Sequence, residues 1–334
     1  EAEKWLQMAA TESDKLITSG RYEIYNTGHP QEDYFNMYRI DDKSDLKEAV
    51  LYVDYKTNIR EHNMAAAGRE AGCGFSKSFV ESFLCSDGLP ISLSNKYLGD
   101  ETMRKETANR DPRLKQLILT NDFPTNVTDD LKDSTFVVNE DEFITQHCFT
   151  GYRPIKGFNP IYSQALYMKS SFDGIAYRYA ETLLINAEAK AELNTITNAD
   201  LDRTVNQLRD RVGMPHLTVN VGFTDPKWPD WGYSLSPVLQ EIRRERCIEL
   251  AGEGFRFNDL KRWKAGKLLN NVLTYVGKRK PDGNLAIVYP NYTNPDLSYQ
   301  AGKSRTWEDK MYLYPIPTGE LQRNPQLLPQ NPGW

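Results

Sequence analysis

The clearest hydrophobic pattern predicts a helix from residue 174 to residue 194. Small apolar residues recur there with three- and four-residue spacing: Ala176, Ala180, Leu183, Leu184, Ala187 and Ala191. After a short turn, a second apolar series predicts a partner helix over residues 199–212, which Gly213 and Pro215 end. A helix, a turn and an antiparallel helix with alanines at close contacts are typical of the TPR unit, whose period is about 34 residues.

The stretch from residue 236 to residue 266 predicts a second helix pair. Ser236 is a favourable N-cap, and Pro237 suits the first helical position because its missing N–H is not needed there. Gly252 and Gly254 mark the break between the helices, where a positive φ is expected. Gly266 ends the second helix. We therefore expect TPR-like pairs near 174–213 and 236–266.

An amphipathic helix is predicted at the start of the chain, over residues 1–19, and Gly20 ends it. Its apolar side carries Trp5, and we expect both this ring and that of Trp263 to lie in the core. Elsewhere, residues 50–55 favour a short strand, and the segment 121–165 is typical of irregular loops with a small sheet.

Two segments lack any helical pattern. Residues 223–237 contain three prolines, two tryptophans and a tyrosine, a composition that excludes a helix or a central strand. Residues 267–334 are rich in tyrosine, asparagine and proline. We expect a mostly α-helical fold with TPR-like repeats and an irregular, loop-rich and aromatic-rich lobe over 267–334.

Composition narrows the possible partners. The chain has 334 residues and a formal net charge of −5, which argues against nucleic acid as the main partner because phosphate binding calls for a basic surface. The sequence contains no run of 18 apolar residues, so it predicts no membrane-spanning helix. The four cysteines form no CxxC motif and the four histidines no HExxH motif, so we expect no metal and no cofactor.

The predicted helix at 236–249 carries a row of acidic residues. Glu241, Glu245 and Glu249 share one helix face at four-residue spacing, which is compatible with acid–base chemistry. Arginines interleave with them, however, and buried ion pairs at helix contacts explain the row better. No GxSxG, Ser-His-Asp or Cys-His arrangement is present. The residues therefore give no specific signal for an enzyme.

Four segments carry a resemblance to a known family. The segment RRERCIELAGEGFRFNDLKRW begins at residue 243, and RYAETLLINAEAKAEL with VNQLRDRVGMP covers the first helix pair. NRDPRL lies at 109–114, and LYPIPTGELQRNPQLLPQNPGW closes the chain. Together and in this order, they resemble the SusD/RagB family of outer-membrane, nutrient-binding lipoproteins of Bacteroidetes.

The resemblance implies a function and a location. It implies non-catalytic capture of oligosaccharides or polysaccharides by a surface-exposed lipoprotein of the outer membrane, and uptake through a SusC-like TonB-dependent transporter as partner. Peptide capture, as in RagB, and a TPR-type interaction scaffold remain alternatives. Family members usually have a longer N-terminal part and a lipidated cysteine, so we expect residues 1–334 to be the C-terminal portion of a longer protein, a single SusD/RagB-like region.

Candidate ligand-binding residues follow from sugar chemistry. A sugar ring presents C–H faces that stack on flat aromatic side chains and hydroxyls that pair with polar ones. The candidates are the exposed aromatic residues outside the helices: Trp228, Trp231 and Tyr233 in the proline-rich loop, and Tyr289, Tyr292, Tyr299 and Trp307 in the C-terminal lobe. The alternative is that the tryptophans fasten a long loop onto the helices.

Overall fold

A computed structural model gives the structure of residues 1–64, 74–145, 148–274, 276–287 and 306–334. Within these ranges the fold is mainly helical. The α-helices, in chain order, are α1 Ala2–Thr18, α2 Asp33–Asn36, α3 Lys77–Ser82, α4 Met103–Thr107, α5 Arg113–Leu117, α6 Tyr162–Ala165, α7 Tyr179–Glu192, α8 Asn198–Asp202, α9 Val205–Arg211, α10 Pro237–Glu249, α11 Phe255–Arg262 and α12 Thr318–Arg323.

The strands form two-stranded antiparallel sheets. They are β1 Ala49–Val53, β2 Pro124–Val127, β3 Ser134–Phe136, β4 Gly174–Arg178, β5 Val276–Arg279 and β6 Leu285–Ile287. β1 pairs with β4, β2 with β3, and β5 with β6. The strand predicted near residue 50 is thus confirmed, as is the small sheet within 121–165. The β1–β4 pairing joins the front of the chain to the start of α7.

Helix α7 lies between α1 and α10 and contacts both. Its alanines allow close approach, and Leu183, Leu184 and Ala187 are fully buried there. On the side facing α1, the Asn186 side-chain amide donates to the carbonyl of Ala10 at 3.0 Å. These three helices form one apolar layer, while a second cluster centred on α3, α5 and residues 143–158 fills the other half of the core.

The structure corrects both helices of the first predicted pair. Residues 174–178 belong to β4, because this segment pairs with β1 and Ala49 lies opposite Arg178. The predicted helix over 199–212 is interrupted between α8 and α9. There the Thr204 hydroxyl donates to the Asp200 carbonyl at 2.6 Å, a local bond of the kind that competes with regular helix geometry. The TPR-like character of these pairs stays a prediction.

The second predicted pair is confirmed in its start and its break. The Ser236 hydroxyl accepts a bond from the Leu239 amide, so it caps α10 as expected. Gly252 has φ 75° and Gly254 has φ 86°, values that favour glycine. Trp263 is buried, as predicted. The prediction for Trp5 was wrong: this ring is 59% exposed, because α1 turns its small residues toward α7 instead.

A buried ion-pair network connects the two halves of the core. It contains five carboxylates and five cations: Glu48, Asp111, Glu245, Glu249 and Glu253 with Arg113, Lys156, Arg178, Arg209 and Arg211. The prediction that buried ion pairs explain the acidic row on α10 is confirmed: Glu245 and Glu249 belong to this network, whose signs balance, and Glu241 pairs with Arg244 at 3.1 Å. Such balance matters because a buried charge without a partner costs several kcal/mol.

Glu249 is the centre of this network. Its carboxylate accepts from Arg113 at 3.0 Å, from Arg178 at 2.6 Å and from Arg211 at 2.7 Å. Burial alone would raise the pKa of Glu249, but the three arginines outweigh it and hold the pKa well below its ordinary value. For Glu253, burial is likewise outweighed by its cationic partners, and the pKa falls to about 2. The ionised network fixes the loop after α10 against the core.

Candidate functional site

The proline-rich loop 223–237 is fastened across α10 by its two tryptophans. The indole N–H of Trp228 donates to Glu241 at 2.7 Å, and that of Trp231 donates to Gln240 at 2.6 Å. Glu241 and Gln240 are neighbours on α10, so the two rings lie against different parts of the helix surface. Both tryptophans therefore help to position the loop, and their ring faces differ in accessibility.

Trp231 lies in an aromatic–arginine cluster with Trp263, Tyr233 and Arg243. Its ring meets the Trp263 ring edge-on at 5.4 Å between centroids, and the Arg243 guanidinium lies 4.8 Å from the Trp231 ring and 4.4 Å from the Trp263 ring. Trp231 is only 5% exposed. Tyr233 is 43% exposed, but its hydroxyl donates to the Trp263 carbonyl at 2.7 Å and accepts from Arg243. The cluster offers the Tyr233 ring to solvent.

Trp228 is half-buried and lies beside Phe223, with ring centroids 6.1 Å apart and planes inclined by 33°. The loop beneath it is anchored by Asp225, which accepts the Lys227 amide at 2.8 Å and the Arg244 guanidinium at 2.7 Å. With its indole N–H already paired to α10, the Trp228 ring has a fixed orientation. A fixed, partly open aromatic ring is the kind of platform on which an apolar face can stack.

A row of charged side chains extends from Trp228 toward the β5–β6 hairpin. Lys227 contacts Glu81 at 3.5 Å, and Lys77 lies 3.8 Å from Glu81 and 2.8 Å from Asp100. Asp100 then pairs with Arg279 on β5 at 2.9 Å. Burial opposes ionisation of Asp100, but Arg279 and Lys77 lower its pKa to about 2. Asp100 therefore stays ionised at neutral pH, and the groups of this row are held in place by one another.

We call the combined area the Trp228 surface, defined by Phe223, Lys227, Trp228, Glu81, Asp100 and Arg279. Its aromatic rings lie on the same loop as Lys227, from which the row of charged groups continues through Glu81 to Asp100; these side chains are partly open to solvent, from 17% exposed at Asp100 to 55% at Lys227. Carboxylates accept from hydroxyls, and ammonium or guanidinium groups donate to them. The arrangement suits a ligand that combines an apolar face with a rim of hydroxyls.

The remaining sequence-predicted residues lie in the C-terminal lobe. Trp307 is 9% exposed, and its ring packs near Tyr312 at 5.1 Å and Phe257 at 6.2 Å between centroids. Its indole N–H is buried without a partner among the described residues. Tyr289, Tyr292 and Tyr299 lie outside the described residues. The structure therefore brings Trp228, Trp231 and Tyr233 together on one loop and places Trp307 in a different part of the chain.

The described residues contain neither a candidate metal-binding cluster nor a candidate membrane-spanning helix. No group of three or more His, Cys, Asp or Glu side chains there is arranged to hold a metal ion. None of its helices combines the length and apolar character needed to cross a bilayer.

Sequence reasoning missed the charged half of the Trp228 surface. Asp100 and Arg279 are 179 positions apart in the chain, and no motif or spacing links them. Glu81 lies on α3, where a single glutamate in a short helix carries no signal. Only the packing of α3 and β5 near the proline-rich loop brings these groups together, whereas the aromatic residues were recognisable because aromatic side chains are unusual in such a loop.

The family of the chain follows from comparison with known proteins. The sequence model of the SusD family matches residues 20–334. The chain belongs to the SusD family. A SusD-like protein, P2, of Formosa agariphila is 33% identical over 166 residues, which are 50% of this chain and 27% of that protein.

Solved SusD-like structures share the fold. A SusD-like protein from Bacteroides fragilis has a TM-score of 0.70 and 26% identity, covering 100% of this chain and 62% of its own. A SusD-like carbohydrate binding protein from the same species has a TM-score of 0.66 and 23% identity over 98% of this chain and 62% of its own. This SusD-family chain thus spans about a quarter of the curated relative and less than two thirds of these structures.

Proposed function

We propose that this SusD-family chain binds oligosaccharides or polysaccharides without cleaving them, at the bacterial cell surface. The observation that carries the proposal is the SusD family match over residues 20–334. Two structures with the same fold are named for this activity, the carbohydrate binding protein from Bacteroides fragilis and a surface glycan-binding protein from Bacteroides fluxus, whose TM-score is 0.54 at 18% identity. A TPR-like helical frame is part of the proposal.

The chemistry of the Trp228 surface supports the same conclusion. The Trp228 and Phe223 rings provide a platform for the C–H face of a sugar, and Glu81, Asp100 and Lys227 provide partners for its hydroxyls. Because these groups are already ordered by their mutual ion pairs, binding costs little additional side-chain ordering. Tyr233 extends the aromatic area along the same loop. We propose that Trp231 acts through the loop that it fastens.

The proposal includes a route and a location. Bound glycan is handed to a SusC-like TonB-dependent transporter in the outer membrane, and the chain is held there as part of a surface-exposed lipoprotein. Retention of ligand near the transporter raises its local concentration without chemical change. The transporter arm is tested by affinity purification of the protein from its native membrane; a barrel transporter in the eluate supports it, and its repeated absence under mild detergent contradicts it.

Titration calorimetry tests the binding function. A panel of soluble neutral and acidic polysaccharides and a peptide mixture are titrated into the chain. We expect heat from one glycan class, and Trp228→Ala should weaken that binding about tenfold, since an aromatic platform contributes on the order of 1 kcal/mol. Lys227→Ala, at a 55% exposed side chain, is a second variant that leaves the anchoring bond of Trp228 intact.

Trp5→Ala is the matched control, because Trp5 is a 59% exposed tryptophan on α1, outside the Trp228 surface. It should bind as tightly as the unmodified chain. Heat from peptides with none from any glycan would overturn the proposal in favour of peptide capture. Release of reducing ends from a bound polysaccharide would contradict the non-catalytic part. Melting curves establish that each variant is folded before its affinity is compared.

A further inference from the structure

The C-terminal residues line an open pocket separate from the Trp228 surface. It has a volume of about 420 Å³ and is lined by Glu308, Asp309, Lys310, Leu313, Pro332 and Gly333. This volume lies within the range of small-molecule sites, ~300–1,000 Å³. We call it the C-terminal pocket. It is formed by the 3-10 turn Asp309–Tyr312 on one side and the last residues of the chain on the other.

Side-chain hydrogen bonds hold the two sides of the pocket together. Gln330 exchanges two bonds with the backbone of Ile316, at 2.8 and 2.9 Å, and the Asn331 amide donates to the Tyr314 carbonyl at 2.6 Å. Gly333 has φ 84°, and an added Cβ would lie 3.0 Å from the Cβ of Lys310. The wall of the pocket is thus tightly fitted and in place before any ligand arrives.

An exposed aromatic ring, that of Trp334, is bonded to two of the residues that line this pocket. The Trp334 indole N–H donates to the Lys310 carbonyl at 3.0 Å and to the Leu313 carbonyl at 3.1 Å, which fixes the ring while leaving the residue 47% exposed. Tyr314, next to Leu313, is 70% exposed, and the Lys261 ammonium lies 4.1 Å from its ring centroid. Trp334 is thus bonded to two residues that line the pocket, and the Lys310 ammonium lies 5.0 Å from its ring centroid.

The polar groups of the pocket indicate the ligand class. Glu308 pairs with Lys310 at 3.1 Å, whereas the Asp309 carboxylate has neither an ion-pair nor a hydrogen-bond partner among the described residues. Two carboxylates against one ammonium leave a net charge of −1, which disfavours uronate or sulfate groups. Asp309 is exposed, so the hydroxyls of a ligand can replace water at its carboxylate without bringing charge into the pocket.

We propose that the C-terminal pocket is a second saccharide-binding site, which takes an uncharged pyranose ring. The sugar face stacks on the Trp334 ring, and its hydroxyls bond to Asp309 and Lys310. This inference rests on the proposed glycan binding and adds a site that is independent of the Trp228 surface. A polysaccharide that spans or visits both sites is held more tightly than by either alone.

Calorimetry with defined oligosaccharides tests the second site. The probes are cellohexaose, maltohexaose and laminarihexaose as neutral sugars, hexagalacturonate as an acidic one, and a chitosan hexamer as a cationic one. For a neutral hexaose that binds, we expect two sites per chain. Trp334→Ala or Asp309→Asn should remove or weaken one of them about tenfold, and Trp228→Ala should affect the other.

Variants and controls separate this proposal from the general one. Asp309→Asn, at an exposed carboxylate that lines the pocket, is the second variant should Trp334→Ala unfold the C-terminus. Trp5→Ala again serves as the control and should keep both sites. If Trp228→Ala abolishes all binding while Trp334→Ala and Asp309→Asn leave affinity and stoichiometry unchanged, the second site is overturned and glycan binding stands. If no hexaose binds, both the proposed glycan binding and the second site are wrong. If the Trp334 site binds hexagalacturonate or the chitosan hexamer in preference to the neutral hexaoses, the proposal that its ligand is uncharged is wrong.

Discussion

The substitution Glu249→Gln removes the central negative charge of the buried ion-pair network while preserving side-chain size. Three guanidinium groups face this carboxylate, but they depend on it unequally. Arg113 and Arg178 keep other carboxylates within 3.0 Å. Among the residues that the structure describes, Arg211 keeps one other carboxylate, Glu48, at 3.3 Å. The substitution therefore leaves the equivalent of about one buried guanidinium without an adequate partner.

The expected loss of unfolding free energy follows from this one unpaired guanidinium group. Breaking a buried pair by removing one partner costs about 3–5 kcal/mol. Unfolding entropy near 2.1 cal/mol/K per residue gives about 0.7 kcal/mol/K for 334 residues, so a loss of about 4 kcal/mol lowers the Tm by about 6 °C. The new amide also directs an N–H group toward cations, which provides no compensation.

Differential scanning calorimetry at pH 7 measures this shift. The matched control is Glu320→Gln, which makes the same chemical change in an exposed pair with Arg323 on α12. Exposed pairs contribute little, so this control should melt within about 1 °C of the unmodified chain. If Glu249→Gln also melts within about 1 °C, the network does not depend on its central carboxylate, and the reasoning is refuted.

Two further predictions concern pH and packing. The pKa of Glu253 is about 2 and that of Glu249 is well below its ordinary value, so their stabilisation is complete above the unfolded pKa of about 4.3 and is lost as pH falls toward 2; a Tm that stayed level between pH 5 and pH 3 would contradict this. Gly266→Ala should destabilise by about 1–3 kcal/mol in urea unfolding, because its Cβ would overlap the Trp307 ring. Gly319→Ala, in α12 with open space around it, should be neutral or slightly stabilising.

The sequence was sufficient for the helices whose signals are local. The cap at Ser236 and the paired glycines at 252 and 254 determine α10 and its end through neighbouring backbone groups, and both were predicted. The start of α7 was misplaced because residues 174–178 have an apolar pattern compatible with a helix, and only the pairing with β1 makes them a strand. Trp5 was misassigned because periodicity identifies an apolar face but not the element that covers it.

The candidate site divides in the same way. Aromatic residues in a proline-rich loop are visible in the sequence, so Trp228 was recognised as a candidate. Its charged neighbours were not, since Asp100 and Arg279 meet only through tertiary packing. The sequence also left the orientation of each ring undetermined. Trp231 donates a hydrogen bond to Gln240 and is buried against the Trp263 ring. Trp228, in contrast, keeps a partly open face.

The buried ion-pair network also constrains how the chain folds. Its members are supplied by segments far apart in the chain: Arg178 and Glu48 are separated by 130 positions, and Arg113 and Glu249 by 136. In a partly folded state that lacks one of these segments, a charged group of the network has no partner. This group must then lie unpaired in an apolar interior, or stay in water and prevent the surrounding core from packing. Intermediates are thereby disfavoured, and closing loops of this length is slow. The region between Glu48 and Glu253 should consequently assemble in one cooperative step.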